Sequence, residues 1–270
     1  DVERSRGLGD VYKRQILLVL ILKILGTYNH TMTKKVINQN TKLNQELINT
    51  IEPKFIFADK PINRFNILET KNDTLQINKE KLLKKLKDQI NSIENCKLKE
   101  NSNKIILGEG NINSPLMLIG ESPGAEEEKL GIPFRGEVGE LLNKMLIAIN
   151  IKRQNIYTSY AINFRPPDDR KPTSTEIKRY SVFLKEHISI INPKIIVLMG
   201  SSAMEAITGI SEKITTERGN WKEVILKNKT FPLMITFNPS YLIRFPENKK
   251  HSWEDLKKIR DKIKDLKLKI

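Results

Sequence analysis

The chain has 270 residues, of which 39% are hydrophobic, enough for one sizeable core and an extension but not for two large domains. Its formal net charge of +15 suits a polyanionic partner, because neutralising phosphates releases counterions, although a Lys-, Ile- and Asn-rich composition also follows from genome bias. A single cysteine, Cys96, excludes an internal disulfide and any metal centre built wholly from cysteines of one chain, and it points to a reducing cytoplasm.

In chain order, residues 1–31 are expected to be a non-native leader. Asp10 to Gln15 resembles the translation of a transposase sequencing adaptor, and Met32 begins ordinary sequence. Lys13-Arg14 and the apolar residues 16–25 imitate a secretory signal, but no small-residue cleavage site follows. The run is also shorter than the roughly 20 residues that span a bilayer. Neither secretion nor a membrane anchor is expected. Residues 32–88 read as a polar, partly helical extension, with Leu43, Leu47, Ile48 and Ile51 at helical spacing and breaks at Pro53 and Pro61. An amphipathic helix over 77–93 leads into the main domain at 89–270. The histidines, His30, His187 and His251, show no metal-ligand spacing and are expected at the surface or at helix caps.

Beyond residue 107 strands and helices alternate. Apolar runs predict strands at 116–120, 156–162, 194–200 and 231–237. Helices are predicted at 139–149, at 173–190 with Pro172, Thr173 and Glu176 marking the start, at 201–208 with a serine cap, and from 252 toward 268. The pattern implies an α/β fold: three α/β/α layers around a central, mostly parallel four-stranded sheet. Ligands in such folds bind beyond the carboxyl ends of the strands.

Three loops lie at those ends. The first is Gly120-Glu121-Ser122-Pro123-Gly124, continuing to Pro133-Phe134-Arg135-Gly136; it offers a carboxylate at a strand end and an aromatic face for a base. By itself Gly-x-x-Pro-Gly indicates only a turn. The second is Asn163-Phe164-Arg165-Pro166-Pro167, continuing to Arg170 and Pro172, and the third runs from Phe237 through Asn238-Pro239-Ser240 to Arg244. No Walker pattern or Gly-x-Gly-x-x-Gly fingerprint accompanies them.

In order and spacing these loops resemble those of the family 4, iron-sulfur type uracil-DNA glycosylases, which read Gly-Glu-Ala-Pro-Gly, then Arg-Pro-Pro, then His-Pro-Ser with Leu-Leu-Arg. The resemblance spans residues 93–262 and includes Gly108-Glu109-Gly110-Asn111. It implies hydrolysis of the N-glycosidic bond of uracil, or a related deaminated base, flipped out of DNA for base excision repair. On that resemblance Glu121 and Asn238 are the catalytic pair. Gly120, Ser122, Phe134 and Tyr160 surround the base, with Phe134 as the stacking ring. Arg165, Arg170, Pro239, Ser240 and Arg244 meet the DNA. The partner is single- or double-stranded DNA carrying a damaged base, and the protein is expected to be a monomer.

The departures bear on activity. The family's four cluster cysteines correspond to Ile93, Cys96, Phe164 and Tyr180, so three thiolates are missing; no cofactor is expected, and apolar packing replaces the cluster. Cys96 is then a small half-buried hydrophobe. Tyr160 stands where the family has a uracil-reading Asn, and it either fills the pocket, selects another base, or points away if the register slips by one. Asn238 replaces a histidine, which predicts slower chemistry, and Ser122 replaces an alanine and can add a donor. The alternative is a catalytically inactive relative that binds DNA or a partner protein through the same loops.

Overall fold

The computed structural model describes residues 67–102 and 104–270, with side chains from residue 78 onward. The expected leader at 1–31 and the helical spacing and proline breaks between residues 43 and 61 lie outside the described residues. Helix α1 (Ile67–Asn91) and the short helix α2 (Lys97–Glu100) precede β1 (Gly108–Gly110) and β2 (Leu116–Gly120). Then follow α3 (Ala125–Leu130), α4 (Gly136–Ile147), β3 (Tyr157–Tyr160), α5 (Ser174–Ile191), β4 (Ile195–Met199), α6 (Ser201–Thr208) and α7 (Ile214–Glu217). The chain continues through β5 (Trp221–Leu226), β6 (Lys229–Thr236), α8 (Pro239–Arg244) and α9 (Lys249–Asp265).

One sheet runs in the order β1-β3-β2-β4-β6-β5. Its centre, β3-β2-β4-β6, is parallel throughout, as the alternation of strands and helices requires. The sheet exceeds the expected four strands because β1 and β5 add antiparallel edges. Neither edge has a strong strand signature: β1 is Gly-Glu-Gly, and β5 is half exposed. Strands β5 and β6 are joined across Lys227 and Asn228, both with positive φ (46° and 64°), as a tight hairpin turn demands. The pair lacks the Asn-Gly that usually announces such a turn.

Strands β2 and β4 are buried at every residue, which explains their uninterrupted apolar sequences. Met117, Ile119, Ile196 and Leu198 point to one face and meet Leu86 and Ile90 of α1, Tyr180 and Ile188 of α5, and Met204 of α6. Leu116, Leu118, Ile195 and Val197 point to the other face and meet Leu142 and Leu146 of α4 and Leu256 and Ile259 of α9. Each such aliphatic side chain stabilises the fold by about 1.5–3 kcal/mol on burial. The domain core thus draws on the last turns of α1. The Lys79 ammonium ties that helix down further by donating to Ile112 O (3.0 Å) and to Ile191 O (2.9 Å), the latter at the carboxyl end of α5, where a cation is favoured by the helix dipole. No described helix is long and apolar enough to cross a membrane.

Local starts and stops follow the sequence in part. Thr173 caps α5, its hydroxyl accepting Glu176 N–H while Glu176 accepts Thr173 N–H. The serine cap expected for α6 is corrected: Ser201 is the first helical residue, and Gly200, with φ of 103°, holds the cap position. The third loop is likewise largely helix, since Asn238 caps α8 by accepting Ser240 N–H at 3.2 Å.

His187 is not at the surface as expected but 1% exposed, inside α5. Its Nε2 lies 3.0 Å from Tyr157 Oη and its Nδ1 3.4 Å from Ser159 Oγ, so both ring nitrogens have partners on β3. Burial lowers its pKa to about 3, from an ordinary value of 6.5. The unfolded chain therefore binds a proton that the folded chain refuses, and the contribution of neutral His187 is present above pH 6.5 and lost as pH falls toward 3. Chemical denaturation of His187→Gln across that interval should give a shallower rise of stability with pH than the parent; an unchanged slope would contradict the assignment.

Candidate active site at the carboxyl ends of the parallel strands

The parallel order β3-β2-β4-β6 sets the ends of four strands side by side, and each end delivers one part of the site. Tyr160 is the last residue of β3, Glu121 follows β2, Gly200-Ser201-Ser202 follows β4, and Asn238 follows β6. Glu121 lies centrally in this row. Its Oε1 accepts from Ser201 Oγ (3.2 Å) and from Ser202 N–H (3.0 Å), and its Oε2 accepts from Asn238 Nδ2 (3.3 Å). The amino end of α6, with its positive dipole end, thus faces the carboxyl group.

Gly200 makes this clasp possible. A Cβ there would stand 2.3 Å from Glu121 Cδ, and its positive φ suits glycine. Asn238 is 5% exposed and uses both ends of its amide, Nδ2 toward Glu121 and Oδ1 toward Ser240 N–H. Neither Gly200 nor Ser202 was singled out by the sequence patterns; the signal was a Gly-Ser-Ser step directly after a fully apolar strand.

A second constellation adjoins the first. Phe134, 3% exposed and with φ of 54°, sets its ring on that of Tyr160 with centroids 4.7 Å apart. Tyr160 Oη accepts Phe134 N–H (2.9 Å) and donates to Glu127 Oε1 (3.2 Å). Tyr160 therefore points into the site and not away from it. Glu127, 5% exposed, also accepts from Arg135 N–H (3.2 Å) and Gly124 N–H (3.1 Å), so this buried carboxyl group is fully partnered. Burial first, and Glu127 second, hold the Tyr160 phenol well above its usual pKa. Glu127 had no role in the sequence reading; its place in the first turn of α3, three residues after Gly124, was the available signal.

A cavity of about 540 Å³ opens above these residues, lined by Glu121, Ser122, Phe134, Tyr160 and Asn238 and reaching Arg170, Lys171, Ser240 and Arg244 at its rim. The predicted DNA-facing residues differ in what they offer. Arg165 is engaged by Asp169 (2.7 Å) and Glu128 (3.2 Å), and Arg170 by Glu176 (2.7 Å), which lowers the pKa of Glu176 to about 2. Lys171 and Arg244 carry no ion pair among the described residues. Pro239 is buried in the first turn of α8, whereas Arg244 is exposed.

Residues 107–257 match the model of the uracil DNA glycosylase superfamily, a span that holds every residue of the cavity named above. The chain belongs to this superfamily. It is 35% identical over 189 residues to a type-4 uracil-DNA glycosylase of Thermotoga maritima, an alignment covering 69% of this chain and 97% of that protein. A type-4 uracil-DNA glycosylase of Sulfurisphaera tokodaii is 35% identical, with 66% and 84% covered, and one of Archaeoglobus fulgidus is 29% identical, with 63% and 88% covered.

Of the four residues at the cluster positions of the resemblance, Cys96, Phe164 and Tyr180 come together, and the set does not fit an iron-sulfur centre. Cys96 Sγ lies 3.2 Å from Tyr180 Oη, the Phe164 and Tyr180 rings meet edge to face at 6.3 Å, and Ile93 packs on the same core. One thiol cannot replace four thiolates. The place is filled by side chains that pack, and among the described residues no group of three or more His, Cys, Asp or Glu could hold a metal ion. Phe164→Ala should cost about 3–5 kcal/mol in a denaturant titration, the size of an aromatic cavity in a core, and the purified parent protein should contain iron well below one equivalent by elemental analysis.

Proposed function

We propose that the protein is a DNA glycosylase that hydrolyses the N-glycosidic bond of uracil, or a related deaminated base, in base excision repair. The observation that carries the reading is the Glu121 carboxyl group, clasped by Ser201, Ser202 and Asn238 at the floor of a cavity rimmed by cations. Cleavage leaves positive charge on the sugar and negative charge on the departing base. A fixed carboxyl group beside the sugar stabilises the former and orients a water whose hydroxyl adds to C1′ while its proton goes to the base. With its amide engaged by Glu121 and by Ser240 N–H, Asn238 positions the carboxyl group, and an amide, a weaker donor than histidine, predicts slower chemistry.

The DNA strand is held by the rim. On this reading Lys171, Arg244 and the Ser240 hydroxyl, which line the cavity, meet phosphates, while Arg165 and Arg170 are engaged in ion pairs and contribute less net charge. The lone cysteine suits a reducing compartment, and we place the protein in the cytoplasm as a monomer. A second reading, DNA binding without excision, is favoured by one observation: the ring of Tyr160 already covers Phe134.

Uracil-containing oligonucleotides treated with the protein and then with alkali should be cut, and Glu121→Ala should lower the single-turnover rate by about 100-fold or more. No scission of uracil, hypoxanthine or mismatched strands by the parent protein would end the enzyme reading. Lys171→Ala and Arg244→Ala should each weaken single-strand binding and reduce the dependence of log K on log salt by roughly 0.7, with a smaller change for Arg165→Ala.

A further inference from the structure

What a base entering the cavity meets is decided by Phe134 and Tyr160. Their centroids stand 4.7 Å apart with planes tilted by 31°, within the range at which aromatic rings attract. The Arg153 guanidinium carbon lies 5.3 Å from the centre of the same Phe134 ring. Exposure is reduced to 3% for Phe134 and 2% for Tyr160. A nucleobase stacks on a ring by taking up the thickness that Tyr160 here takes up itself.

Tyr160 is not free to slide aside. Its hydroxyl oxygen accepts Phe134 N–H and its proton goes to Glu127, so moving the ring out strips a buried carboxyl group of a donor. On the strand side, a Cβ at Gly120 would lie 2.7 Å from Phe134 Cζ and 2.8 Å from Tyr160 Cδ1, which shows how closely β2 presses on the pair. The phenol has a single proton, already committed, and so offers no donor to read the edge of a base.

We infer that Tyr160 is a specificity-determining residue that fills the stacking place on Phe134, so that the site holds a flipped nucleotide through its sugar and phosphates and gains little from the base. In its consequence for substrate choice this rests on the glycosylase reading; in its test it needs no catalysis. Discrimination between similar bases is correspondingly weak, and excision depends on how readily the nucleotide leaves its strand.

The test compares the affinity of the full chain for two labelled single strands, one with a central 2′-fluoro-2′-deoxyuridine and one with a tetrahydrofuran residue in its place. Their ratio isolates the contribution of the base and cancels general effects on DNA binding. The parent protein should bind both within about twofold. Tyr160→Ala, which uncovers Phe134, should favour the uracil strand by about tenfold, the size expected of one base on an aromatic ring. Tyr160→Asn, which keeps a polar partner for Glu127, decides the matter if the alanine variant does not fold. Tyr160→Phe retains the ring and should keep the parental ratio. A parental preference of tenfold or more for the uracil strand overturns the inference, as does an unchanged ratio in folded Tyr160→Ala or Tyr160→Asn, or a ratio in Tyr160→Phe equal to that of Tyr160→Ala. Loss of the glycosylase reading would show separately, as an absence of Glu121-dependent strand scission, and leaves these ratios to stand by themselves.

Discussion

A carboxyl group at the end of β2 is held by donors that arrive from the ends of β4 and β6, and most of what the site can do follows from that arrangement. It requires the three strands to be parallel and adjacent, so that their carboxyl ends share one edge of the sheet. It also requires Gly200, because any side chain there would collide with Glu121. The donors are the Ser201 hydroxyl and the Ser202 backbone N–H of α6 and one amide at the head of α8, all on elements packed into the core. A carboxyl group fixed in this way needs little reorganisation when charge develops on a neighbouring sugar.

The same edge of the sheet carries a different solution on its β3 side. There the space beside Phe134 is taken by Tyr160, and the partners of Tyr160 form a closed set with Glu127, Gly124 and Arg135. One half of the cavity is thus polar, open and suited to a sugar, and the other is aromatic and already packed. Elsewhere in the core the Cys96 thiol meets the Tyr180 phenol and the Phe164 and Tyr180 rings meet edge to face, with Ile93 packed on the same core.

Charge at the rim is less uniform than the overall excess of basic residues suggests. Two of the arginines expected to meet phosphate are tied to carboxylates, Arg165 to Asp169 in its own loop and to Glu128 of α3, and Arg170 to Glu176 in the first turn of α5, instead of presenting free charge. Exposed ion pairs of this kind contribute modestly to stability and are screened by salt. The cations left to steer a polyanion are those outside such pairs, Lys171 and Arg244 among them.

The central parallel strands, the helices flanking them and the three loops at their carboxyl ends were legible from local pattern, because an unbroken apolar run, a helical stripe and a capping box are each properties of a few neighbouring residues. The edge strands were not, since Gly108–Gly110 and the half-exposed Trp221–Leu226 are strands only by virtue of their partners. The helical form of Pro239–Arg244 was likewise missed, its first turn resting on the Asn238 cap. Sequence alone therefore determined which residues arrive at the site: Glu121, Phe134, Tyr160 and Asn238. Tertiary structure decided what they do there, clasping Glu121 with Ser201 and Ser202, burying His187 and setting Tyr160 on Phe134, because hydrogen bonds and ring contacts between residues 26 to 117 positions apart depend on strand order and not on local propensity.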